Sequence, residues 1–185
     1  MLNGTNVYLI GMMGAGKSTV GKLLAKKLQY HFFDTDTLVE QCTGMSVAEI
    51  FSIEGESAFR QIEHQVLAEV SAYKGLAIAT GGGIVMDRMN WSYLRHGLVV
   101  WLNVPIDLLY QRLLTSTVKR PLLQAQNPQA ILTDIYNQRR DRYAQCDLQI
   151  TVNPSDSAQT VCDRLFSLIV DRIEPDRLTK PQNRD

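Results

Sequence analysis

Cysteine is scarce in this chain and poorly placed for pairing. Cys42, Cys146 and Cys162 are the three among 185 residues. They show no CxxC or metal-ligand spacing, so they read as buried thiols in a reducing compartment rather than a disulfide framework. Histidine is equally thin: His31, His64 and His96 are scattered, and no protein-only metal centre is expected. Net charge is missing too. Nineteen Lys and Arg balance nineteen Asp and Glu, which removes whole-molecule attraction as an argument for a nucleic-acid or membrane partner. No apolar run approaches membrane-span length; the best, 98–102, is the size of a strand. The first ten residues lack a basic stretch before an apolar one, so no signal peptide is expected and the chain reads as cytoplasmic. A mature organellar protein would look the same.

What is present is ordinary in bulk and specific in one place. Apolar residues make up 45% and charged residues 21%, as in a globular protein with one sizeable core and at most a small lid. The specific place is Gly11-Met-Met-Gly-Ala-Gly-Lys-Ser18, which fits G-x-x-x-x-G-K-S/T. An apolar run precedes it and a helically spaced one follows, the strand–loop–helix context that the motif requires. Gly11, Gly14 and Gly16 allow close backbone approach, and successive N–H groups, including those around Ala15 and Thr19, can face a polyphosphate at the positive end of the next helix. Lys17 is placed to reach the β- and γ-phosphates, and the Ser18 hydroxyl to ligate Mg²⁺. The loop indicates a phosphate ligand without naming the reaction.

Apolar runs at 6–10, 76–80, 98–103 and 148–152, with the aromatic 31–34, predict five strands. Helical spacing or caps predict helices at 17–29, 37–42, 46–53, 56–73, 89–94, 105–114, 128–145 and 157–172. Ser46-Val-Ala-Glu49 fits a capping box, and Asn127-Pro128 a cap followed by a first helical residue. Strands that are continuous apolar runs alternating with helices indicate a parallel sheet covered on both faces. One α/β domain is expected over 1–173, followed by a charged, Pro-containing flexible tail over 174–185.

Ligands of parallel sheets sit beyond the carboxyl ends of the strands. Asp34 and Asp36 fall at such an end. If the chain stays extended they face one side; the alternative is a cap for a helix from 37 onward, which needs only one of them. Gly81-Gly-Gly83 follows another strand and either forms a plain loop or leaves backbone open to a ligand. Arg60 and Glu63 share a helix face, and their spacing alone favours an exposed ion pair worth less than about 1 kcal/mol. Arg120 lies in a lid-sized loop, where a cation could meet a transferring phosphate. Arg139, Arg140 and Arg142 form a basic cluster whose default is a solvated face.

In this order the residues resemble the shikimate kinases, small P-loop enzymes with a nucleoside-monophosphate-kinase-like fold. The resemblance runs from about 7 to 168. It rests on the phosphate loop through Thr19, Phe33-Asp-Thr-Asp36, Ile50-Phe51, Gly55-Glu56, Phe59-Arg60, the triple glycine, Arg120-Pro-Leu-Leu123 and Arg139-x-x-x-Tyr143. It implies a three-layer P-loop kinase fold with a five-stranded parallel sheet in the order 2-3-1-4-5, a lid at about 115–127 and a shikimate-binding helical region at about 37–65. It also implies a reaction: ATP phosphorylates shikimate to shikimate 3-phosphate, on the route to chorismate and the aromatic amino acids.

By that resemblance, Lys17, Asp36 and Arg120 are catalytic, with Asp36 the substrate-hydroxyl ligand and candidate base. Ser18 and Asp34 hold Mg²⁺. Arg60 and Arg139 grip the shikimate carboxylate with Gly81, Gly82 and Gly83, and Glu63 steadies Arg60 or touches a hydroxyl. Arg112 and Pro154 flank adenine, and Arg120 reaches the nucleotide phosphate. A monomer with no nucleic-acid or membrane partner is implied, cytoplasmic or in mature plastid form. A gluconate kinase is the nearest rival, sharing the loop but not the motif order. A catalytically idle nucleotide-binding module should lack one of Lys17, Asp36, Arg60, Arg120 and Arg139, and all are present.

Overall fold

The computed structural model describes residues 2–116 and 126–178. Its strands are β1 Val7–Ile10, β2 His31–Asp34, β3 Leu76–Ala79, β4 Leu98–Asn103 and β5 Leu148–Thr151. They form one sheet in the order β2-β3-β1-β4-β5, and every pairing is parallel. β1 is central: Val7 registers with Ala77 on one side and with Leu98 on the other. All of its residues are buried, which is why the sequence shows a continuous apolar run instead of alternation.

The helices are α1 Lys17–Leu28, α2 Thr35–Thr43, α3 Val47–Ile53, α4 Gly55–Ser71, α5 Asn90–Leu94, α6 Ile106–Leu114, α7 Pro128–Tyr143 and α8 Ala158–Leu178, with a 3₁₀ turn at Ile84–Met86. α1 lies so close to the sheet that a Cβ on Gly21 would stand 2.6 Å from Cε2 of Phe32 and 2.9 Å from Cδ1 of Leu9. The helix that follows the phosphate loop is therefore fixed in depth against β1 and β2.

Most boundaries fall within two residues of expectation, and three of those that differ are instructive. α2 begins at Thr35 rather than 37, because the side chain of Asp34 accepts a hydrogen bond from the Asp36 N–H and caps the helix there. Pro105 stays outside α6, with ψ 142, as its N-cap. α8 runs to Leu178, past the 172 read from the sequence and through Pro175, a residue that costs a helix one backbone hydrogen bond. The start of the expected tail, 174–178, is thus helical, and 179–185 lies outside the described residues.

Among the described residues, two apolar clusters hold the elements together. The larger one surrounds the sheet, with Tyr8, Leu9, Ile10, Ile78 and Leu102 essentially inaccessible to solvent. The smaller joins Val39, Ile50, Phe59 and Val66 beneath α2, α3 and α4, the helices that carry half of the site. The Ser46–Glu49 capping box forms as expected and fixes the start of α3.

Candidate active site

The phosphate loop is anchored at both ends, by β1 before Gly11 and by α1 from Lys17. Gly11, Gly14 and Gly16 take φ values of 140°, 76° and 92°, and a Cβ on Gly11 would stand 2.7 Å from the Leu102 carbonyl oxygen. Gly16 N-caps α1 without a side chain, and no acidic residue enters the first turn. The positive end of the helix is thus left for an anion. Lys17 is buried, and its Nζ donates to the carbonyl oxygens of Gly11 and Met12, both at 2.9 Å. Those contacts fold the ammonium back over the loop. Ala15 is buried, while Ser18 and Thr19 are exposed at its mouth.

Asp34 does two jobs. One carboxyl oxygen, Oδ1, caps α2, and the other, Oδ2, accepts from Ser18 Oγ at 2.5 Å. The extended conformation ends at Asp34, so the expected same-side geometry of an extended Asp34–Asp36 pair does not occur. Asp36 enters the first turn of α2 instead, and both side chains still line one cleft of about 750 Å³. A hydroxyl and a carboxylate in contact at the loop mouth suit Mg²⁺, which takes few protein oxygens and draws the rest of its shell from phosphates and water. Among the described residues there is no cluster of three or more His, Cys, Asp or Glu for an all-protein cage.

Across the cleft, Arg60 and Glu63 are more than the exposed pair that spacing suggested. Arg60 Nη1 meets Glu63 Oε2 at 2.6 Å, and the Glu63 side chain is 1% exposed. Glu63 Oε1 is buried without a hydrogen-bond partner. Burial raises the Glu63 pKa, outweighing the attraction of Arg60. Burial pulls the Arg60 guanidinium down, but Glu63 and Glu56 more than offset it, so Arg60 stays cationic.

The triple glycine makes room for these groups. A Cβ on Gly81 would collide with Glu63 Oε1 and stand 2.9 Å from Asp36 Oδ1; a Cβ on Gly83 would land in the Arg60 guanidinium. None of the three has positive φ, so glycine serves space here rather than backbone conformation. A Cβ on Gly82 would lie 3.4 Å from Arg139 Nη1 and 3.4 Å from the Met13 amide nitrogen. Gly82 therefore sits between Arg139 and the phosphate loop. Of the basic cluster on α7, Arg139 lines the cleft, while Arg140 is exposed and pairs with Asp141 at 3.4 Å.

Arg112 lies between this cleft and a second one of about 280 Å³. Its Nη1 is 3.4 Å and 3.3 Å from the carbonyl oxygens of Gly14 and Ala15. Pro154 is exposed in the β5–α8 connection, whose Val152 and Asp156 line the second cleft while Pro154 does not. Arg120 and most of the expected lid lie outside the described residues.

Sequence reasoning gave no role to several residues at the site. Thr35, between the two aspartates, is fully buried, and its Oγ1 accepts from the Gly81 N–H at 2.9 Å. Phe51 and Phe59 pack at 4.6 Å between centroids and form the cleft's apolar wall. Tyr143 donates to the Gly82 carbonyl at 2.5 Å. A polar residue between two site residues was the available signal for Thr35. The two phenylalanines belonged to the motif pattern behind the resemblance but carried no role there, and the helical spacing of Phe59 is explained equally well by core packing.

Comparison with known proteins agrees with this geometry. Residues 13–170 match the family model described as shikimate kinase. Shikimate kinases from Nostoc sp. and Synechococcus elongatus are 52% and 51% identical, each covering 91% of this chain and 93% and 88% of the relative. A solved shikimate kinase from Acinetobacter baumannii, in complex with shikimate, superposes with a TM-score of 0.86 at 38% identity, over 91% of this chain and 94% of that one. A family match over most of the chain, close relatives along nearly its whole length and one cleft joining a phosphate loop to paired arginines lead to one conclusion: the chain belongs to the shikimate kinase family.

Proposed function

We infer that this chain transfers the γ-phosphoryl group of ATP to the 3-hydroxyl of shikimate, giving shikimate 3-phosphate and ADP on the route to chorismate. The observation that carries this reading is a single cleft lined by Lys17, Asp36, Arg60 and Arg139. Phosphate, hydroxyl and carboxylate recognition are thereby within the length of one small molecule. Arg60 and Arg139 take the carboxylate, since guanidinium groups match its planar geometry. Asp36 accepts a hydrogen bond from the 3-hydroxyl and holds it in line with the γ-phosphate.

The transition state of phosphoryl transfer is loose, so positioning and charge stabilisation supply most of the rate. Lys17 leaves its resting carbonyl contacts for the β- and γ-phosphates, and Arg120 meets the transferring group from the lid. Arg112 and Pro154 bracket adenine at the smaller cleft. Ser18 and Asp34 hold Mg²⁺, which when bound neutralises phosphate charge. Glu63 keeps Arg60 aimed at the carboxylate. We place the enzyme in the cytoplasm as a monomer, without membrane or nucleic-acid partners; no helix among the described residues is long and apolar enough to cross a membrane.

The test is Asp36→Asn, assayed by phosphorus NMR of the product mixture. A positioned carboxylate contributes about 10²–10⁴-fold, so turnover should fall by that order while ATP binding is retained. Shikimate 3-phosphate formed at the wild-type rate would remove Asp36 from the mechanism.

A further inference from the structure

Tyr143 closes α7 one turn after Arg139, on the same face of the helix. Its ring is completely buried and stacks on Trp101 at 5.7 Å between centroids, 26° from parallel. Packing thus fixes where the hydroxyl sits. Oη stands 2.5 Å from the Gly82 carbonyl oxygen and 3.7 Å from Met12 Sδ in the phosphate loop. The Arg139 guanidinium, one turn back on the same face, is close enough to pull the acidity of that hydroxyl the other way from burial. A phenol has one proton to give, and the carbonyl is the nearer and better acceptor. Tyr143 Oη–H therefore donates to the Gly82 carbonyl, and Arg139 Nη1 lies beside the same glycine, 3.4 Å from where a Gly82 Cβ would stand. Burial pushes the hydroxyl up to about 12, against the pull of Arg139, so it stays a donor throughout the pH range of an assay.

The acceptor matters because of what Gly82 is. Without a side chain it has no anchor of its own, and the peptide between Gly82 and Gly83 is free to rotate unless something holds it. A trans peptide directs its carbonyl and the following N–H to opposite sides. Holding the Gly82 oxygen toward Tyr143 therefore directs the Gly83 N–H away from it. Gly83 is also the residue against which Arg60 packs. We propose that Tyr143 is the positioning residue of the carboxylate subsite, clamping the Gly82–Gly83 peptide and Arg139 in one register so that the backbone and both guanidinium groups meet the shikimate carboxylate together. This rests on the reading that Arg60, Arg139 and the triple glycine bind that carboxylate.

Tyr143→Phe in the full chain tests it. The variant keeps the ring and its stacking and removes only the clamp. The shikimate KM should rise about tenfold, the scale of one lost buried hydrogen bond, with kcat and the ATP KM changed by less than about twofold. The preference for shikimate over its carboxamide analogue should shrink, a readout that general loosening would not move. An unchanged shikimate KM, or equal losses toward shikimate, its carboxamide and ATP, would overturn the proposal. Arg139→Ala assayed in parallel separates the two levels. If it raises the shikimate KM while Tyr143→Phe does not, the carboxylate reading stands and the clamp falls; if neither does, both fall. Should Tyr143→Phe not fold, 3-fluorotyrosine at 143 keeps ring and hydroxyl but ionises at lower pH. The shikimate KM must then rise at a pH where the wild type's is still flat, and a flat profile would count against the clamp.

Discussion

Glu63 carries a carboxyl group inside the protein with one oxygen on Arg60 and the other without a partner. Burial raises its pKa above the ordinary 4.5, so in the window above 4.5 the folded protein holds the proton more tightly than the unfolded chain does. The sign follows from linkage: the stability associated with protonated Glu63 is full below about pH 4.5 and is lost as pH rises through the raised value, at about 1.4 kcal/mol per pH unit within that window. Thermal melts of wild type and Glu63→Gln should show the stability difference moving against the wild type as pH rises from 4 to 7, by roughly 2–4 °C for each 1 kcal/mol. A pH-independent difference would mean that Glu63 titrates as an ordinary surface carboxyl. The spacing of Arg60 and Glu63 was legible in the sequence, but their burial was not. It depends on the triple glycine, distant in sequence, leaving space above the pair.

The helices α2, α3 and α4 bring Asp36, Arg60 and Glu63 to the cleft; they meet over the small cluster of Val39, Ile50, Phe59 and Val66, and α4 alone sends buried residues, Leu67 and Val70, into the large core. A unit with few buried contacts opens locally at a lower cost than the sheet does. Phe59 is 3% exposed, packs against Phe51 and lies 5.1 Å from the Arg60 guanidinium carbon. Phe59→Ala should lower stability by about 3–5 kcal/mol. By hydrogen exchange, the lost protection should concentrate in α2–α4 and leave β1, β3 and β4 comparatively protected. Uniform loss across the sheet would show that the arm is not a separate unit. At this scale the sequence was informative where local chemistry decides, as in the Ser46–Glu49 capping box and the Gly44 and Gly55 breaks. It misplaced the start of α2 because the Asp34 cap acts on the residues just after it, a choice between cap and extended strand that spacing leaves open.

At the scale of the whole molecule, the buried strand β1 delivers the phosphate loop, β2 delivers Asp34, and the turn after β3 delivers the glycines beside Arg139 from α7. These arrive at one end of the sheet because every strand is parallel. Continuous apolar runs made that arrangement legible, since only strands covered on both faces tolerate them. The meeting of Tyr143 with Gly82 was not legible, because 61 residues separate them and only the fold closes that distance. Such a cleft should couple ATP cleavage to the presence of one acid alcohol, because the acceptor hydroxyl is positioned only when the carboxylate is gripped. ADP release by the purified protein, with ATP and Mg²⁺ and with shikimate, gluconate, a nucleoside monophosphate or no acceptor, measures this directly. ADP release should be rapid with shikimate and orders of magnitude slower in the other three mixtures. Comparable release without shikimate, or faster release with gluconate or the nucleotide, would contradict it.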